Sequence, residues 1–156
     1  MSARLRPLRD DEFDAWHAAA KAGYAASIEH DGGVPGPLAQ QKAERDLAQL
    51  LPDRRIPDGH AVFVVEDERS AAVGRLWVAE RDVESGRALF VYEVAIEPAA
   101  RCRGHGRRAL EFAEQEARRR GLDRIALTVF GGNDGARRLY TDLGYRETAV
   151  FMEKGL

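Results

Sequence analysis

After Asp10, apolar residues recur at three- and four-residue spacing (Phe13, Trp16, Ala20, Tyr24), the rhythm of one helix face. Residues 5–8 before it read as a short strand, with Asp10 placed to cap the helix. Asp31-Gly32-Gly33, with Pro35 and Pro37, interrupts the pattern. A second helix is predicted beyond, with Pro37 near its first turn, Ala43, Leu47, Leu50 and Leu51 on one face and Pro52 at its end. The rhythm then becomes that of strands. Residues 61–65 form an apolar run, 67–70 a turn, and 73–80 the returning arm of a hairpin; 88–96 make a third, longer strand. Behind it the pattern predicts a helix over 107–120, with Leu110, Ala113 and Ala117 inward, Glu114/Arg118 and Glu116/Arg120 as i,i+4 pairs, and Gly121 as its stop. A strand over 124–130, a helix over 134–143 closed by Gly144, and a final strand over 145–153 complete the order. Antiparallel strands in front and a β-α-β unit behind predict an α/β fold, a mixed sheet flanked by helices. No linker, repeat or low-complexity segment interrupts it, so residues 1–156 are expected to form one domain.

Composition narrows the class. The 24 Lys plus Arg against 26 Asp plus Glu, a net charge of −2, lack the basic excess of a nucleic-acid binder. No run approaches the ~18 apolar residues of a membrane span, and Met1-Ser2-Ala3-Arg4-Leu5-Arg6 has no apolar core of a secretion signal. A cytoplasmic protein with no nucleic-acid or membrane partner is expected. Cys102 stands alone, and no Cys/His cluster has metal-ligand spacing, so no disulfide and no metal are expected. Lysine occurs only at positions 21, 42 and 154, and the heavy use of Arg and Ala fits a GC-rich bacterial genome.

The chemistry concentrates in 92–107, Tyr-Glu-Val-Ala-Ile-Glu-Pro-Ala-Ala-Arg-Cys-Arg-Gly-His-Gly-Arg, where a strand runs into a glycine-spaced turn that opens a helix. The first backbone N–H groups of a helix lack intrahelical partners and sit at the positive end of its dipole, and glycines let an anion approach them. Arg101, Arg103, Arg107 and Arg108 strengthen that field, so the turn suits a phosphate or pyrophosphate; an ordinary strand-to-helix turn with solvated arginines is the competing interpretation. Gly104-x-Gly106-x-x-Ala109 also fits a dinucleotide fingerprint. That pattern wants a carboxylate at the end of the next strand, where this chain has Thr128-Val129-Phe130-Gly131, and too few elements follow.

Two blocks together resemble the GNAT superfamily of acyl-CoA-dependent N-acyltransferases. Arg101-x-x-Gly104-x-Gly106 is similar to its pyrophosphate loop, and Asn133-x-x-Ala136-x-x-Leu139-Tyr140-x-x-Leu143-Gly144-Tyr145 is similar to its second block. Residues 126–133 and the ending Met152-x-Lys154-x-Leu156 resemble a bacterial subgroup of undefined substrate. The resemblance implies a largely antiparallel central sheet of about six to seven strands with about four helices. It also implies transfer of an acetyl group from acetyl-CoA to a primary amine within a ternary complex. The pyrophosphate would lie on the backbone of Cys102, Arg103, Gly104, His105, Gly106 and Arg107. The pantetheine arm would pair with main-chain groups of Val94, Ala95 and Ile96, between strands 88–96 and 124–130, and meet Asn133. A backbone N–H of Val94 or Ala95 would face the developing oxyanion.

Roles follow from what the reaction needs. An alkylammonium of pKa near ~10 is only about 0.1% free base at neutral pH, so a base helps, and the departing thiolate benefits from a proton. Glu93, a carboxylate inside an apolar strand, is the expected general base, acting directly or through water; a structural ion pair with Arg75 or Arg101 is the competing role. Alternation places Glu93 and Ala95 on one face and Tyr92, Val94 and Ile96 on the other. The family's other carboxylate position, five residues before the Asn, holds Thr128. Tyr140 is the expected proton donor, against a role as a core aromatic; Asn133 is a ligand to the arm or a helix cap. His17, His30 and His60 are bases by residue type alone, and His105 lies in the phosphate loop. Asp10, Asp11, Glu12, Asp14, Glu29 and Asp31 give the amino-terminal helices an acidic cast suited to a cationic small-molecule, peptide or protein amine; a solvated helix start explains them equally. The alternative to an enzyme is a silent acyl-CoA-binding or sensory module of the same fold, and either leaves room for a homodimer.

Overall fold

The computed structural model describes residues 3–156; Met1 and Ser2, part of the stretch inspected for a secretion signal, lie outside the described residues. Five strands, β1 (Arg4–Pro7), β2 (His60–Glu66), β3 (Ala72–Val83), β4 (Gly86–Ile96) and β5 (Ile125–Leu127), form one sheet in chain order. The first four are antiparallel, and β5 joins β4 in parallel. Four α-helices flank it: α1 (Phe13–His30), α2 (Gly36–Leu50), α3 (His105–Arg119) and α4 (Asp134–Asp142). This is the mixed α/β architecture read from the sequence, with fewer strands.

Alternation along the strands builds two cores. On one face Trp16, Ala20, Leu47 and Leu51 of the α1–α2 layer bury Val62 and Trp77. On the other, Leu110, Ala113 and Ala117 of α3 cover Phe63, Leu76, Val78, Leu89 and Val91, with Leu139, Tyr140 and Leu143 packed at the margin. The half-turn steps of β2 and β3 explain this: Val62 and Phe63 point to opposite layers, as do Trp77 and its neighbours.

Several boundaries differ from expectation. Asp10 does not cap α1; it lies in a 3₁₀ turn, Asp10–Glu12, that begins after Arg9. Glu12 reaches back to the Arg9 N–H at 2.9 Å, and Arg6 grips both of its carboxylate oxygens. Glycine at 104 moves the start of α3 two residues earlier than expected. Residues 124–130 keep strand pairing only over β5, because β4 and the chain after Leu127 diverge. Residues 145–153 form no strand, since no neighbour pairs with them.

Two stability outcomes are expected. Leu110 is fully buried, so Leu110→Ala should cost about 2–5 kcal/mol in urea denaturation. The Arg6 guanidinium, with the Arg9 N–H, holds the Glu12 carboxyl near about 2. A depressed folded value gives stability that is present above the unfolded value of 4.5 and lost as pH falls toward 2. Glu12→Gln should therefore melt below the parent chain at pH 7 and converge with it at pH 2.

Candidate active site

The site begins with a phase slip in β4. Trp77 lies opposite Glu93, but Val78 lies opposite Val91, so Tyr92 is an extra residue, a β-bulge. Tyr92 and Glu93 therefore point to the same layer: the Tyr92 ring lies 4.9 Å from Trp77 and 4.8 Å from Phe90, while Trp16 Nε1 donates to Glu93 Oε1 at 3.2 Å. This corrects the unbroken alternation, which put Tyr92 with Val94 and Ile96.

The slip also turns the main chain. Leu89 N–H donates to Arg124 O on the β5 side, and Glu97 N–H donates to Val73 O on the β3 side. Alternation back from Glu97 sends the polar groups of Ala95 and Glu93 toward β3 and those of Val94 and Ile96 toward the β5 side. There β5 has already parted, since its pairing ends at Val91–Leu127. Of the three residues expected to bind an extended arm, Val94 and Ile96 thus offer main-chain groups along an open edge, while those of Ala95 lie in the β3 ladder. Arg101 Nε donates to Ile96 O at 3.0 Å, tying the following loop to this edge.

That loop carries left-handed residues at Cys102 (φ 59°) and Gly104 (φ 82°), and Gly104 is the N-cap of α3. The first helical bond runs from Arg108 N–H to Gly104 O, leaving the N–H groups of His105, Gly106 and Arg107 without helical partners. Arg101, Cys102, Arg103 and Arg107 are exposed around them. Arg108 contributes differently: its Nε is buried and has no partner among the described residues. A Cβ built on Gly106 would lie 3.4 Å from Leu139 Cδ2 and 3.9 Å from Ile96 Cγ1, so the start of α3, the end of β4 and α4 converge here. Backbone donors under a field of arginines fit a pyrophosphate, and an open strand edge fits an amide-bearing arm.

Glu93 lies on the α1 side of this edge. Arg75 Nε donates to its Oε2 at 2.9 Å, and the same guanidinium reaches Glu97 and Ala19 O, each at 3.4 Å. Burial pushes the Glu93 carboxyl above the ordinary range, while Arg75 and Trp16 pull it back. Its expected ion pair with Arg75 is present; that with Arg101 is not. Each oxygen keeps a further lone pair, so these bonds orient the carboxylate without saturating it.

Tyr140 lies on the α3 side, packed at the core margin with its ring 5.7 Å from Tyr145. Burial raises its phenol, so it is protonated at neutral pH and able to donate. Asn133 caps α4, its Oδ1 accepting from Ala136 N–H at 3.2 Å, which leaves the amide NH₂ as the half suited to a ligand. His60 accepts from Trp77 Nε1 at 3.1 Å and stacks on Tyr92 at 5.7 Å, and burial lowers its pKa. It is a prop of the aromatic layer. His17 is buried beside Phe13 and Trp16, and His30 pairs with Asp31 at the exposed end of α1. The acidic cast of the amino-terminal region is partly spent: Glu12 is held by Arg6 and Arg9, and Asp14 by Arg54.

Sequence reasoning missed two contributors. Trp16 showed in the sequence only as part of an apolar helix face, and its indole N–H on Glu93 follows only from the packing of α1 across the bulge. Gly74 faces Ile96, where a Cβ would come within 2.5 Å of Ala95 O and 2.6 Å of Ile96 Cδ1. A glycine inside a strand was the available signal.

Among the described residues no group of three or more His, Cys, Asp or Glu is arranged to hold a metal, and no helix is long and apolar enough to cross a membrane. Comparison with known proteins agrees with the geometry. The model of the Acetyltransferase (GNAT) family matches residues 28–145. The crystal structure of a putative acetyltransferase, YycN, from Bacillus subtilis superposes with a TM-score of 0.89 at 27% identity, covering 99% of each chain. The uncharacterized N-acetyltransferase YdgE of Bacillus subtilis is 26% identical over 100% of this chain and 99% of its own length. A mycothiol acetyltransferase of Beutenbergia cavernae is 32% identical over 70% of this chain and 38% of its own.

The loop yields a prediction. Nothing lies within 4 Å of a Cβ on Gly104, so Gly104→Ala meets no clash and only the left-handed φ, worth about 1–2 kcal/mol. It should weaken coenzyme A binding several-fold by isothermal titration with the circular dichroism unchanged. Cys102→Gly relieves the same kind of strain and should leave binding intact.

Proposed function

The chain belongs to the acetyltransferase (GNAT) family, and from this we propose that it transfers the acetyl group of acetyl-CoA directly to a primary amine in a ternary complex. One observation carries the reading. The bulge at Tyr92 sets the open edge of Val94 and Ile96 beside an arginine-framed helix start, with a desolvated carboxylate on one side and a protonated phenol on the other.

Acetyl-CoA supplies an acyl group already activated as a thioester. Cys102, Arg103, Gly104, His105, Gly106 and Arg107 hold its pyrophosphate through backbone donors and arginine charge, and Arg101 braces the loop on Ile96. Val94 and Ile96 bind the pantetheine amides, the donor half of Asn133 adds to them, and Ala95 keeps the strand in register. The Val94 N–H faces the carbonyl oxygen on which charge develops, where a fixed donor in a dry site is worth most. Glu93, oriented by Arg75 and Trp16, takes the proton of the incoming ammonium, directly or through one water. The neutral amine then attacks the thioester carbon; as the C–S bond breaks, Tyr140 gives its proton to the departing sulfur, and the phenolate takes up the extra proton of the new amide nitrogen. The acceptor is a small-molecule or peptide or protein amine, the reaction is cytoplasmic, and residues 1–156 act as one domain.

The test is thiol release from acetyl-CoA across a panel of amines. Acceptor-dependent release is expected; tight binding with no release on a broad panel would return the chain to the silent acyl-CoA-binding module. Within an active enzyme, Glu93→Gln should lower kcat far more than it raises the KM for acetyl-CoA. Because burial raises the Glu93 carboxyl above 4.5, the rate should climb with pH on a limb displaced above that value, and the limb should vanish in the variant. A profile like that of the parent chain would remove Glu93 from the chemistry. Tyr140→Phe should slow turnover about tenfold to a hundredfold, the low end of acid–base contributions; unchanged turnover would leave Tyr140 as packing.

A further inference from the structure

Arg75 carries more donors than its neighbours use. Among the described residues its N–H groups meet three acceptors: Nε donates to Glu93 Oε2 at 2.9 Å, Nη1 to Glu97 Oε1 at 3.4 Å and Nη2 to Ala19 O at 3.4 Å. A guanidinium has five N–H groups, so one on Nη1 and one on Nη2 remain unmatched. The side chain is only 18% exposed, and charged donors withdrawn from water are costly unless they are matched. The fold also leaves this spot uncovered. α1 lies against the guanidinium at Gly23, where a first side-chain carbon would sit 3.5 Å from Nη2. Glycine weakens a helix interior, and here it keeps the terminal nitrogens free of a side chain from α1.

An ammonium that comes to Glu93 comes also to Arg75, which holds the same carboxylate at 2.9 Å. A plain amine therefore arrives beside a fixed positive charge with nothing of its own to offset it. Glu97 is 56% exposed, so water screens much of what it could add. An α-amino acid is different, because its ammonium and carboxylate are one carbon apart and complement Glu93 and Arg75. Set head to tail against that ion pair, its ammonium meets Glu93 while its carboxylate accepts from Nη1 and Nη2, the forked pairing that a guanidinium favours. We infer that the acceptor is a free α-amino acid, its carboxylate bound by Arg75 and its amine delivered to Glu93. This rests on the transferase reading and leaves its steps unchanged. Glu93 takes one ammonium proton, the N–C bond forms as the C–S bond breaks, and Tyr140 protonates sulfur and recovers a proton from nitrogen. The products are an N-acetyl amino acid and the thiol of coenzyme A. Arg75 thus both positions Glu93 and selects what reaches it.

Thiol release from acetyl-CoA, and equilibrium binding in the presence of coenzyme A, test this on matched triads. Each triad is an amino acid, its carboxamide and the amine that remains without the carboxyl group, taken across the primary amino acids of proteins. For at least one side chain, kcat/KM for the free acid should exceed that for the carboxamide and the amine by about a hundredfold, the scale on which an unpaired buried charge is felt. Arg75→Lys keeps the charge and loses the fork, so the ratio should fall to about tenfold or less. An arginine that only oriented Glu93 would slow all three members alike, and a ratio that survives Arg75→Lys would overturn the inference. Equal release from all three members would overturn it too, with the transferase intact. Carboxylate-dependent binding without release would overturn the transferase reading and uphold the ligand class. Neither release nor carboxylate-dependent binding would overturn both.

Discussion

A single inserted residue governs the geometry of this molecule. At Tyr92 the pairing of β4 with β3 slips, and everything downstream takes the opposite phase. Without the slip, Glu93 and Ala95 would aim their main-chain groups at the β5 side, and Val94 and Ile96 would be consumed in the β3 ladder. With it, Val94 and Ile96 open toward the space where β5 diverges, and Arg101 and the start of α3 close around the same edge. Bulges commonly sit where a sheet must re-aim a side chain or end its pairing, and here one slip does both.

The same slip places a charge where water is scarce. Tyr92 and Glu93 fall side by side on the α1 layer, where Trp16 donates to the carboxylate and packs on Trp77, and Trp77 packs on Tyr92. An isolated carboxylate could not remain ionised there, and Arg75 is what makes its ionised form tolerable. Arg75 is itself fixed by Glu97 and Ala19 O, so the ion pair has a defined direction. Two influences on Glu93 thus oppose each other, burial raising its pKa and Arg75 lowering it, and burial is the larger.

Much of this was legible in the sequence, because it rested on local rules. Gly104 and Gly106 marked the strand-to-helix turn that opens α3, the periodicity of Leu110, Ala113 and Ala117 marked the face of α3, and the spacing from Asn133 to Tyr140 marked α4. What stayed hidden depended on contacts between distant elements. The bulge leaves no trace in 88–96, where apolar residues fill both phases on either side of Glu93 and alternation carries little information about phase. Trp16 gave no sign of its bond to Glu93, 77 residues away. Asp10 looked like a cap because its residue type favours that position, but Arg6 drew Glu12 into the role of closing the turn onto Arg9. The strand expected over 145–153 has the right composition and lacks a neighbour within the chain, and a strand is defined by its neighbour.

Stability and chemistry are therefore coupled through β4. A bulge forfeits ladder regularity, and a buried ion pair seldom exceeds in stability the apolar residues that could replace it. Neither feature is what the fold would select for its own sake, since Leu89, Val91 and Val94 on the opposite face show how well this strand can pack. The aromatic layer supplies the compensation: Trp16 edges onto Trp77 at 5.3 Å, Trp77 binds His60, and His60 stacks on Tyr92, so the inserted residue is clamped by rings on both sides. That clamp gives the bulge a reason to stay in register, because sliding it by one residue would withdraw Tyr92 from its ring partners and send Glu93 to the α3 core. The residue that the clamp holds, Tyr92, and the residues that would use the slip, Glu93 to Ile96, are thus neighbours on one strand, and selection on either acts on both.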